Sequence, residues 1–149
     1  MVDTVLLEID GAVATMTLNR PDSLNAIDHV LAKDLRETAL EAEMNSKVRC
    51  LGVRGSGPAF MAGGDIRAFK ERLSKNLDRY IIDVTHDLHD AIMAFRRMPK
   101  PVIASVPGAA AGAGFSLAMS CDMVIATEDA VFTLAYSVLG ASPAGSSPC

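Results

Sequence analysis

Short apolar runs of β character alternate along this chain with helical stretches, and that order constrains the fold more than any other feature. Residues 4–9 and 13–18 are two such runs, separated by Asp10-Gly11, a strong hairpin signal. From about residue 28 to residue 45 the period turns helical. Ile27, Leu31, Leu35 and Ala39 recur every four residues, with Lys33, Asp34, Arg36 and Glu37 elsewhere. Residues 48–53 read as a buried strand closed by Gly55-Ser56-Gly57-Pro58. A short helix is expected around 66–72 and a longer one over about 77–97, stopped by Pro99-Lys100-Pro101. Residues 102–106 form a third core strand, 112–120 a helix of small residues, and 122–126 another strand. Val131-Phe132 is a candidate for one more. The order ββ, α, β, α, β, α, β predicts α/β layering. A core over residues 1–140 precedes a small, turn-rich tail, 141–149, expected to be mobile.

Composition excludes several function classes. The net charge is −4 and no basic run occurs, so no nucleic-acid partner is expected. Cys50, Cys121 and Cys149 are odd in number and scattered, which fits neither a disulfide frame nor a metal motif. A reducing, cytoplasmic setting follows, and no signal peptide is evident at the N-terminus. Residues 102–121 carry no charge and have the length of a membrane span. Pro107, three glycines and the many alanines argue against one, so no membrane partner is expected. His86 and His89, with Asp83, Asp87 and Asp90, read as a solvated polar face, and no metal is expected. Gly112-Ala-Gly114-Phe115-Ser116-Leu117 lacks the third glycine of a dinucleotide fingerprint. Gly114 to Ala118 lacks the closing glycine of a nucleophile elbow.

Two glycine turns stand out, "AFMAGGDI" at 59–66 and "GAAAGAG" at 108–114. Each has a structural reading. Asp65 is a natural N-cap for the helix behind it, and the small residues of the second turn suit a helix crossing a strand closely. Each also has a functional reading. Both turns follow a β run and lead into a helix, so in a parallel sheet their main-chain N–H groups can meet at one point. The second lies at the positive end of a helix. Two converging donors stabilise an oxyanion or enolate, and losing one typically costs about 3 kcal/mol in the transition state.

The chain resembles the enoyl-CoA hydratase/isomerase (crotonase) superfamily through "VLLEIDGAVATMTLNRPDSLNAID", "LGVRGSGPAFMAGGDI" and "KPVIASVPGAAAGAGFSLAMSCDMVIATEDAVFTLAYSVLGASP". The resemblance implies a β/α spiral of ββα repeats, here lacking the C-terminal helical region, that binds an acyl-CoA thioester. It puts Gly64 and Ala113 at the two oxyanion-hole positions. Ser23, Leu24, Asn25 and Ala26 match the loop along the CoA adenine and pantetheine path. Ala62, Gly63, Asp65 and Ile66 match the segment that wraps the adenine and thioester. Arg20, Arg67 and Lys70 are candidates to face CoA phosphates or simply solvent. No cofactor is implied beyond coenzyme A as part of the substrate, and the family assembles as homotrimers or hexamers.

The sequence also departs from the family's pattern. The two glutamates that activate water in hydratases correspond to Ser116 and Tyr136, and neither is a general base near neutral pH. Local similarity favours relatives of the 2-(1,2-epoxyphenylacetyl)-CoA isomerase kind, which carry an aspartate where this chain has Ala144. Family domains continue well past Pro143, so a truncation or reading-frame change near Ala144 is one expectation, with apolar surface left exposed. The resemblance implies enoyl-CoA hydration or isomerisation through a stabilised thioester enolate. The alternative is an inactive remnant that binds CoA weakly or serves as a packing module.

Overall fold

The computed structural model describes residues 3–134. The hairpin forms where the dipeptide places it. β1 (Val5–Asp10) pairs antiparallel with β2 (Val13–Leu18), and Gly11 takes the left-handed conformation of the turn. A 3-10 turn at Pro21–Ser23 then leads to α1 (His29–Met44). Asp28 caps that helix, accepting from the Leu31 N–H at 2.9 Å, and Leu31, Ala32, Leu35, Ala39 and Ala42 form its buried face. β3 (Cys50–Gly55) starts two residues later than the apolar run, because the Val48 N–H closes a turn onto Asn45 O.

Beyond it come α2 (Ile66–Lys70), α3 (Leu77–Arg97), β4 (Val102–Val106), β5 (Ala109–Ala111), α4 (Ala113–Ser120), β6 (Met123–Ala126) and β7 (Val131–Thr133). The main sheet has the order β1-β2-β3-β4-β6, parallel after the hairpin. A second, smaller sheet pairs β5 with β7 in parallel, and a bridge adds Met61 to β5 at Ala110. The chain therefore spirals. The turns from β3 and β4 each lay one strand in the main sheet, one short extended piece at Met61 or β5 in the small sheet, and then helix.

The core is filled by Ala14, Met16 and Leu18 of β2, Leu51 and Val53 of β3, and Val102 and Ala104 of β4, packed under α1 and α3. Phe60 and Met61, fully buried, tie the glycine turn to that core. Residues 102–121 divide into β4, β5 and α4, and no helix among the described residues is long and apolar enough to cross a membrane. At the far edge of the sheet, all four residues of β6 are exposed, as are Met119, Val131 and Phe132.

Candidate functional site

Two loops at the C-terminal ends of β2 and β3 lie side by side. The first, residues 19–28, turns through two consecutive left-handed residues, Leu24 and Asn25, with φ of 51° and 54°. Each such residue carries strain of about 1 kcal/mol, so something must hold it. The Asn25 side chain does. Its Oδ1 accepts from the Arg20 N–H at 2.8 Å, and its Nδ2 donates to Ser56 O (3.0 Å) and Ala59 O (2.9 Å). Asn25 is completely buried, and it braces the loop from behind.

The second loop, residues 58–65, threads between the first loop and β5. On one side the Ala62 N–H donates to Leu24 O, the Ile27 N–H to Gly63 O and the Asp65 N–H to Ile27 O. On the other, the Met61 N–H donates to Ala109 O and the Ala111 N–H to Met61 O. Since the Gly63 carbonyl faces Ile27 and the peptide is trans, the Gly64 N–H points the opposite way, toward residues 109–113. Met61 pairs with Ala110 in a parallel bridge. A Cβ on Gly63 would sit 3.0 Å from Ala111 O, so the two glycine turns are in contact.

Ala113 is the first residue of α4, where a helix leaves its N–H groups without intrahelical acceptors. Among the described residues, neither the Gly64 nor the Ala113 N–H donates a hydrogen bond. The Phe69 ring packs behind Gly64, within 2.8 Å of where a Cβ would stand. Tyr80 meets Phe69 edge-on, and its hydroxyl accepts from the His29 N–H at 3.1 Å. Burial pushes the Tyr80 phenol up, against the lowering effect of that hydrogen bond, so it stays neutral at physiological pH.

A groove of about 280 Å³ opens between the two loops. Of the residues that the resemblance singles out, Ser23, Leu24, Ala26, Ala62, Gly64, Asp65 and Ile66 line it, joined by Asp22 and Arg67. Gly63 lies buried against β5, and Ala113 is beyond the groove on the β5 side. Asp65 is the N-cap of α2, with Oδ1 accepting from Arg67 N–H (3.1 Å) and Ala68 N–H (3.3 Å). Arg20 does not face outward toward a phosphate. Its guanidinium is turned in, between Asp28 and Asp65. Arg67 and Lys70 are exposed.

Ser116 is fully buried, and its hydroxyl donates to Gly112 O at 3.4 Å. Tyr136 and Ala144 lie outside the described residues. No cluster of potential metal ligands occurs among the described residues. The bracing roles of Asn25, Phe69 and Arg20 were not legible in the sequence. An asparagine between apolar residues is one available signal, but its partners, Ser56 and Ala59, are more than thirty residues away.

A sheet that is parallel after its first hairpin, with helices between successive strands, is an α/β architecture. The sequence profile of the enoyl-CoA hydratase/isomerase family matches residues 8–148, and the chain belongs to that family. It is 34% identical over 143 residues to 1,2-epoxyphenylacetyl-CoA isomerase of Escherichia coli K12, covering 96% of this chain and 55% of that protein. It is 28% identical to trans-2-decenoyl-[acyl-carrier-protein] isomerase of Streptococcus mutans, covering 93% and 53%. Among solved structures, an enoyl-CoA hydratase from Polaromonas sp. JS666 superposes with a TM-score of 0.85 at 37% identity, over 93% of this chain and 54% of that one. A Thermobifida fusca YX protein solved in complex with acetoacetyl-CoA gives 0.79 at 30% identity, over 95% and 58%. The chain thus spans about half the length of the curated relatives it matches.

Proposed function

We propose that this chain binds an acyl-CoA thioester along the groove between residues 22–26 and 62–67, and that the Gly64 and Ala113 N–H groups polarise its carbonyl. The orientation of the Gly63–Gly64 peptide carries this reading, because it turns one donor toward the N-terminal end of α4. An enolate forming at the thioester would find both a hydrogen bond and the positive end of a helix there. The reactions that such a site serves are hydration or isomerisation of a 2-enoyl-CoA, and the likeness to an epoxyphenylacetyl-CoA isomerase favours the second.

A second reading is binding without turnover. The residue that stands where a hydratase has its first glutamate, Ser116, is buried with its hydroxyl on a main-chain carbonyl. Calorimetric titration with acetoacetyl-CoA, followed by a turnover assay on 2-enoyl-CoA substrates, separates the two. Wild type is expected to bind. Ala113→Pro removes one donor at a helix position that tolerates proline, and it should weaken thioester binding and any turnover together. Absence of binding by wild type refutes the acyl-CoA reading, and binding without turnover selects the second.

A further inference from the structure

We propose that Arg20 is a positioning residue for the Gly64 amide, which deepens the thioester-binding reading and rests on it. Arg20 stands at the root of the first groove wall, just after β2. Its side chain is only 20% exposed. One terminal nitrogen lies 3.2 Å from Asp28 Oδ2 and 3.1 Å from Asp65 Oδ2, and the other donates to Ala26 O. One guanidinium therefore holds three acceptors drawn from both walls. A planar fork of fixed donors suits that task, and a lysine ammonium does not reproduce it.

The consequence runs through Asp65. Its main-chain N–H donates to Ile27 O, Oδ1 caps α2, and Oδ2 is held by Arg20. Asp65 directly follows Gly64. Swinging the Asp65 carboxylate free would let the second wall rotate about the Ile27 bridge, taking the Gly64 peptide with it. Without the guanidinium, Asp28 and Asp65 would also face each other as like charges, which drives the walls apart. Since both terminal nitrogens of Arg20 face acceptors within the protein, its role is one of steering. Arg67, exposed and lining the groove, can meet a ligand phosphate instead.

The test compares acetoacetyl-CoA with free CoA. Free CoA lacks the thioester carbonyl, so the ratio of the two affinities reports the main-chain donors and not the nucleotide contacts. Arg20→Gln is expected to lower that ratio about tenfold and to weaken the enolate absorption band of bound acetoacetyl-CoA, with free CoA affinity within about twofold of wild type. Arg20→Lys should recover part of the ratio. If Arg20→Gln does not fold, Asp28→Asn decides, since it keeps the α1 cap through Oδ1 while weakening the pair with Arg20, and it should show a smaller loss of the same kind. An unchanged ratio in the folded variants overturns the proposal. So does an equal loss of both ligands, which would mark a nucleotide contact or a general loosening. Wild type that binds neither ligand sinks the underlying acyl-CoA reading, and this proposal with it.

Discussion

Gly114 gives the sharpest test of how the two turns are packed. It is the second residue of α4, and a Cβ built there would stand 2.2 Å from Met61 O, 2.7 Å from Met61 Cβ and 2.9 Å from Met61 C. Carbon and oxygen settle at about 3.5 Å, so Gly114→Ala demands roughly 1.3 Å of separation between α4 and the second loop. Met61 cannot simply retreat. Its carbonyl accepts from the Ala111 N–H at 2.9 Å, and its side chain is fully buried. Overpacking of this sort costs typically 1–3 kcal/mol, whereas alanine gains up to about 1 kcal/mol over glycine inside a helix. The clash wins, for a net loss of about 1–2 kcal/mol. For a domain of this size that is a fall in Tm of roughly 2–8 °C, measurable by calorimetry or circular dichroism. Acetoacetyl-CoA affinity should fall as well, because the shift moves the Ala113 N–H. An unchanged or raised Tm would mean that helix propensity dominates, and the close approach of the two turns would be refuted.

Other consequences follow from single contacts. Asn25→Ala orphans the Arg20 N–H and the Ser56 and Ala59 carbonyls and leaves alanine at a left-handed φ. A loss of about 2–4 kcal/mol in urea denaturation is expected, and a loss under 1 kcal/mol would contradict the bracing role. The Lys100 Nζ donates to the carbonyls of Ala42, Glu43 (3.0 Å) and Asn45 (2.7 Å), closing the C-terminus of α1. Lys100→Met should cost about 1–2 kcal/mol, read by the same denaturation. Burial, with a smaller contribution from Asp122, pushes the Cys121 thiol up to about 12, so an alkylating reagent at pH 8 should leave it unmodified in the folded chain and modify it after unfolding. Because the folded value lies above the ordinary 9.0, the unfolded chain loses this proton first. The contribution of Cys121 to stability is therefore full below about pH 9 and declines as pH rises toward 12, and mutation to alanine should flatten that decline.

Local pattern by itself was enough for most of the fold. The Asp10-Gly11 hairpin, the four-residue recurrence from Ile27 to Ala39, and the proline stop after residue 97 each act within a few residues, so they are written where they operate. The same holds for the glycine turns as turns, and for Asp65 as a cap. The short strand β5 was not legible, since alanine has little β preference. Residues 109–111 are a strand only because β7 and Met61 flank them. Nor could the sequence say where Arg20 points. Its type permits a phosphate contact or an internal ion pair, and the choice was made by Asp65, forty-five positions away, brought to 3.1 Å. Which side of the second loop the Gly64 N–H faces was settled in the same way, by pairing between loops at the ends of neighbouring parallel strands. Such contacts are long-range hydrogen bonds and steric limits, and they exist only once the spiral has closed.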